Sequence, residues 1–132
     1  MAVVAIKNPK NTSAPGPYMG FALQPIRLCY HLLREPDGTT VGIEYLDDVS
    51  IHRADGAVVL EQSKNSIAGK PIGDKSADLW KTFANWGDIC ETRGLDADHT
   101  TFVLYAAAPG QLGNLLLQMH AAIDDGQPKL RC

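Results

Sequence analysis

No run of eighteen or more apolar residues occurs in this 132-residue chain, which excludes a transmembrane helix. The N-terminus, MAVVAIKNPKNTSAPGPYMG, lacks the charged n-region of a secretory signal. Cysteine is scarce. Cys29, Cys90 and Cys132 are an odd, widely spaced set that forms neither a disulfide framework nor a zinc pattern. Reduced thiols in a cytoplasm follow, with Cys29 and Cys90 as buried packing residues. The P-loop, the GxGxxG fingerprint and the GxSxG elbow are all missing. His31, His52, His99 and His120 are scattered, with no HxxxH or HExxH pair. Basic residues are not in excess either. Fifteen acids against twelve bases give a formal charge of -3, which excludes a strongly basic nucleic-acid coat protein but leaves room for a local basic face.

What is present is the composition of one soluble globular domain, 45% hydrophobic and 20% charged. Residues 1–19, broken by Pro9, Pro15, Gly16 and Pro17, read as a flexible leader, and residues 20–132 as the single domain. A helix is expected over 20–34. Phe21, Leu28 and Leu32 fall on one of its stripes with Ile26 and Leu33 beside it, and Gln24, Arg27 and His31 on another side. Two strand-like runs follow, 41–53 and 57–64, with Ala54-Asp55-Gly56 between them as a hairpin signal. Residues 65–75 form a loop bearing Gly and Lys. A second helix over 77–92 has Ser76 as N-cap and repeats Leu79, Phe83, Trp86 and Cys90 along a buried face. Trp80 and Trp86 both read as core residues, with Lys81 and Asp88 exposed. A strand over 100–108 and a helix over 111–125 complete a mixed α/β domain.

The densest group of ionisable side chains is in the hairpin: Glu44, Asp47, Asp48, Glu61, Gln62 and Lys64. Alternation along a strand sends Gln62 and Lys64 to the same face. A two-residue turn at Asp55-Gly56 sets Val49 opposite Gln62 and puts Asp47 on their face. A three-residue turn brings Asp48 opposite Gln62 instead. The hydrophobic pattern prefers the first register, and one bulge exchanges the two aspartates. In either register an acid, an amide and a lysine project from the end of an apolar face. Such charges are costly unless they serve a ligand or pair with each other, as in an Asp–Lys ion pair.

The blocks Gly20-Phe21…Gln24, Glu44-Tyr45-Leu46-Asp47-Asp48-Val49, Glu61-Gln62-Ser63-Lys64 and Asp78-Leu79-Trp80-Lys81-Thr82-Phe83-Ala84-Asn85-Trp86 stand in that order. Together they resemble the N-terminal DNA endonuclease domain of CD-NTase-associated effectors, found in bacterial anti-phage systems of the CBASS and ABC-three-component type. Those domains belong to the restriction-endonuclease-like PD-(D/E)xK superfamily, in its QxK branch. The resemblance spans residues 20–107. Asn65 stands where a histidine usually follows QxK. The superfamily core runs helix, three strands, helix, strand, whereas only two strands are identified here before the second helix.

The resemblance implies a restriction-endonuclease-like mixed sheet flanked by helices, and a cytoplasmic enzyme that hydrolyses phosphodiester bonds with Mg²⁺ or Mn²⁺. Asp47 or Asp48 would ligate the ion with the Gln62 amide oxygen, and Lys64 would stabilise charge on the phosphate. Gln24 and Glu44 would be supporting residues, Glu44 chiefly as a strand-edge acid. Without DNA, the acid is expected to pair with Lys64. The implied partners are double-stranded DNA, further copies of the chain in a homo-oligomer, and a C-terminal sensor region that would make 20–132 the N-terminal part of a longer protein. No membrane partner is implied. The alternative is a non-catalytic module of the same fold, used for assembly or nucleic-acid docking.

Overall fold

The computed structural model describes residues 15–64, 73–107 and 113–124. Helix α1 (Pro15–Leu32) is followed by strands β1 (Thr40–Ile43), β2 (Val49–His52) and β3 (Val58–Lys64). Helix α2 (Ala77–Arg93), a 3₁₀ turn (Ala97–His99), strand β4 (Thr100–Ala106) and helix α3 (Asn114–Asp124) complete the order. The strands form one mixed sheet in the order β1-β2-β3-β4, antiparallel except for the parallel pair β3 and β4. The expected mixed α/β class, a sheet flanked by helices, is therefore present. Among the described residues no helix is long and apolar enough to cross a membrane.

Two differences from the sequence reading bear on the site, beside shifts of one to three residues at other element ends. First, α1 begins at Pro15, so residues 15–19 belong to the helix and not to the leader. Proline is compatible with a first helical turn, whose N–H groups lack intrahelical partners in any case. Residues 1–14 lie outside the described set, as do 65–72 of the Lys-bearing loop. Second, the run 41–53 is two strands. Residues 44–48 turn between β1 and β2, with Glu44 at a left-handed φ of 51° and its N–H donating to the Asp48 carbonyl at 3.2 Å. This supplies three strands before α2.

Each face of the sheet has its own apolar cluster. Val49, Ile51 and Val59 lie on the face covered by α1, with Val41 and Val103 packed against them. On the other face Leu79 of α2 and Leu116 of α3 meet Phe83, Leu104, Ala106 and Met119. The face expected for α2 is buried in part. Leu79 and Trp86 are buried, Phe83 and Cys90, expected to be buried as well, are half-buried, and Lys81 and Asp88 are exposed. Trp86 stacks tilted on Phe102 with ring centroids 5.0 Å apart. Ser76 caps α2 through the Leu79 N–H, and Gly94 closes it in the left-handed conformation. Trp80, expected in the core, is instead exposed, its indole N–H donating to the Asp74 carbonyl at 2.8 Å.

Helix α1 is inverted relative to the usual amphipathic rule. Its polar stripe faces the sheet, and most of its apolar stripe faces solvent. Glu61 on β3 is fully buried and is held by Arg27 in two bonds of 2.5 and 2.7 Å and by His31 Nε2 at 2.8 Å. The Arg27 guanidinium also lies over the Tyr105 ring at 4.1 Å. A buried carboxylate is tolerable only when paired, so these contacts outweigh the gain from burying Phe21, Ile26 and Leu32. The expectation of a buried Cys29 fails for the same reason: Cys29 is on the outer side and exposed.

Asp74 ties α3 to the start of α2, its carboxylate accepting from the N–H groups of Asn114 at 3.0 Å and Leu115 at 2.9 Å. A Cβ at Gly113 would stand 2.6 Å from the Asp74 nitrogen. Gly113→Ala should therefore destabilise the fold by about 1–3 kcal/mol, read as a lower midpoint in urea, with α3 the segment that loses amide protection first.

Breaking the Glu61 network should cost more. Burial opposes ionisation of Glu61, but hydrogen bonds and charge from Arg27 and His31 hold its pKa below the ordinary value. Glu35 is lowered too, by its bond to Arg53. A lowered folded-state pKa gives stability that is present above the unfolded pKa, about 4.3 for glutamate, and is lost as pH falls through the folded value. Arg27→Ala should cost about 3 kcal/mol at neutral pH and move the acid-unfolding midpoint to higher pH. The double variant Arg27→Met/Glu61→Leu should lose less than Arg27→Ala, because no unpaired charge is left behind. Equal losses would show that the pairing does not matter.

Candidate functional site

The register of the β2–β3 hairpin decides which aspartate meets Gln62. Arg53 N–H donates to the Ala57 carbonyl at 2.9 Å, and Gly56 N–H donates to the Arg53 carbonyl at 3.0 Å. The loop is therefore Ala54-Asp55-Gly56, three residues, with Gly56 at a φ of 86° and Asp55 Oδ1 accepting from the Ala57 N–H. A three-residue loop closing on a left-handed glycine is the common alternative to the two-residue turn. Val49 pairs with Glu61 and Ile51 with Val59. This overturns the register preferred by the hydrophobic pattern. Glu61, not Gln62, shares the face of Val49 and Ile51, and one step beyond Val49 Asp48 stands opposite Gln62.

The β1–β2 pairing extends the row. Ile43 is opposite Val49, so the next pair outward is Glu44 and Asp48, joined by the backbone bond described above. Glu44, Asp48 and Gln62 thus lie side by side across three strands. Gln24 comes in from α1, its amide donating to Glu44 Oε1 and, at 3.2 Å, to Asp48 Oδ1. The Gln62 amide nitrogen donates to Asp48 Oδ2, and the Ser63 backbone N–H to the same oxygen at 2.8 Å. Gln24 is buried, while Asp48 and Gln62 are half-buried and Glu44 is exposed.

Asp47 belongs to a different set of contacts. Its carboxylate accepts from the Trp86 indole N–H and from the Asp48 backbone N–H, the latter at 2.9 Å. It anchors the turn to α2 and takes no part in the row. The two adjacent aspartates are separated by their partners: amides around Asp48, an indole and a backbone N–H around Asp47.

Both carboxyls titrate above the usual aspartate value. Burial is the main cause at Asp47, against the bond from Trp86. Burial leads at Asp48 as well, opposed by the Ser63 N–H and reinforced by the charge of Glu44. The positive charge of Lys64 favours the ionised form of both. Lys64 does not pair with either acid as expected. Its Nζ donates to the Asp78 carbonyl at 3.4 Å, in the first turn of α2.

Among the described residues no three His, Cys, Asp or Glu side chains gather as a metal cage. The donor set at the row is two carboxylates, Asp48 and Glu44, with the amides of Gln62 and Gln24. Oxygen donors with one or two carboxylates suit magnesium, which keeps several waters and takes further oxygens from a phosphate. The residues present fit such an ion.

Sequence reasoning did not foresee that Glu44 lies beside Asp48 or that Asp47 accepts from the Trp86 indole. Only the positive φ at Glu44 turns β1 back so that its side chain joins the row, and no glycine or proline marks that turn. The link from Asp47 to Trp86 spans 39 positions and has no local signal. Neither a family model, nor a curated protein, nor a solved structure matches this chain.

Proposed function

We propose that this chain is a metal-dependent DNA endonuclease domain, hydrolysing phosphodiester bonds in the manner of the QxK nucleases it resembles. The observation that carries the reading is the row itself: Asp48 stands beside Gln62, with Lys64 two positions further along the same strand face. The anti-phage setting rests on the resemblance alone. In this reading Asp48 and the Gln62 amide oxygen hold Mg²⁺ or Mn²⁺ against the scissile phosphate, and Glu44 adds a second carboxylate. Held there, such an ion would supply a bound water of lowered pKa and offset charge on the phosphate. Lys64 moves from the Asp78 carbonyl to the phosphate and stabilises charge there. Gln24 positions Asp48, and Asp47 positions the turn through Trp86.

One observation favours a second reading, a non-catalytic module of the same fold. Both oxygens of Asp48 already accept hydrogen bonds from protein donors, as a purely structural carboxylate would. Incubation with plasmid DNA and Mn²⁺, with a chelator control, separates the two. Cleavage that the chelator stops supports the nuclease reading, and intact plasmid supports the module.

The two aspartates should then behave differently. Asp48→Ala should abolish metal-dependent cleavage. Asp47→Ala should lower thermal stability, because the Trp86 indole and the Asp48 N–H lose their acceptor, and should leave measurable cleavage. If Asp48→Ala cleaves at the parent rate, the hairpin is not the active site.

Lys64→Ala should lower the cleavage rate by on the order of 10²-fold or more, the scale of losing one charge-stabilising donor. Lys64 is half-buried at the end of its strand and among the described residues makes one long side-chain bond, so the melting temperature should stay within a few degrees of the parent. Unchanged cleavage would remove Lys64 from the mechanism.

A further inference from the structure

The apolar stripe of α2 has a gap. Phe83, Gly87 and Cys90 stand four and three positions apart, the spacing of side chains that share one helix face. Phe83 and Cys90 put apolar side chains there, and Gly87 puts none. Glycine is among the least favourable residues in a helix interior. A left-handed backbone or a close neighbour can require it, and Gly87 has neither. It lies inside α2 and outside the positive-φ glycines, and among the described residues nothing stands within 4 Å of where its Cβ would be. The missing side chain leaves space.

That space is a groove of about 380 Å³ lined by Phe83, Trp86, Gly87 and Cys90 of α2, Phe102 of β4 and Met119 of α3. Pockets for small molecules run from about 300 to 1,000 Å³ and are mostly apolar. The rings form a connected wall. Trp86 lies tilted on Phe102, as described above, and on Phe83 with centroids 5.9 Å apart and planes at 41°.

We propose that this groove binds an uncharged aromatic molecule about the size of two fused rings. Among the described residues no charged side chain lines it, so a carboxylate, phosphate or ammonium group would lose its water and gain no partner. The indole N–H of Trp86, the one strong side-chain donor in the lining, is already held by Asp47. A peptide laid in the groove would therefore leave amide groups unpaired. Three rings with a thioether and a thiol favour a flat ring over an alkyl chain, through offset stacking and sulfur contacts at the ring edge. None of Glu44, Asp48 and Gln62 lines the groove, and the inference stands apart from the nuclease reading.

Isothermal titration of the full chain with naphthol at neutral pH, where this probe is uncharged, tests the proposal. One molecule should bind per chain. Naphthoate, the same rings with a charge, should bind more weakly by on the order of ten-fold or more, since nothing in the lining pairs with it. Gly87→Leu, which fills the gap, should weaken naphthol binding to a similar degree. Its melting temperature should be no lower than the parent's, because leucine suits a helix better than glycine. The contrast between naphthol and naphthoate is read on the parent and needs no variant. A parent that takes up no naphthol overturns the proposal, as does equal binding of naphthoate. So does displacement of naphthol by n-decanol at equal concentration, which would make the groove an alkyl site. One naphthol per two chains would make it an interface between copies, and undiminished binding by Gly87→Leu would place the ligand elsewhere; either result also overturns it.

Discussion

The buried carboxylate of Glu61 decides how α1 lies on the sheet. An ionised group with no solvent exposure must have its countercharge delivered to it, and among the described residues Arg27 and His31 deliver it. Both sit on one side of the same helix. Once that side is turned inward, three consequences follow from helical geometry. Gln24, one turn before Arg27, is carried to the edge of the sheet where Asp48 lies. Tyr105 on β4 comes under the Arg27 guanidinium. The apolar residues on the opposite side are left outside.

The second determinant is one residue in a turn. The Ala54-Asp55-Gly56 loop has three residues because Gly56 takes the left-handed conformation and Asp55 caps the Ala57 N–H. A two-residue turn would shift β3 by one position and exchange its faces. Glu61 would then turn away from Arg27 and His31, and Gln62 from Asp48. The ion pair under α1 and the polar row at the sheet edge are therefore satisfied by the same register. Neighbouring residues of β3, Glu61 and Gln62, serve opposite faces, and each supplies a reason for the other's place.

Much of this architecture was legible from periodicity. The Leu79, Phe83, Trp86 spacing located α2 and its buried side, and Ser76 marked its start. The membership of the row was legible as residue types, Asp48, Gln62 and Lys64 among them. What could not be read were choices made by long-range partners. Periodicity shows that α1 has two stripes but not which one is buried, because that depends on Glu61, 30 and 34 positions away from its partners. Likewise the break at residues 44–48 lacks a glycine or proline and is formed by Glu44 in a conformation uncommon for its type. The hydrophobic pattern favoured the wrong hairpin register because it counted Leu60 and Val58 with Val49 and Ile51. The sheet is covered on both faces, and an apolar residue on β3 is at home on either.

The same geometry gives a physical reason for an amide at position 62. Glu44 and Asp48 are already adjacent, and the charge of one raises the pKa of the other. A glutamate in place of Gln62 would line three carboxylates across neighbouring strands, in a half-buried setting where like charges repel strongly. It would also lack the N–H that Gln62 donates to Asp48. The amide therefore lets the row fold with no ion present. The corollary concerns affinity. A site with one or two full negative charges, and donors already resting on Asp48, offsets little of the desolvation cost of a divalent cation. On the proposed reading the remaining oxygens come from the phosphate, so metal and DNA bind as a linked pair, each completing the site for the other.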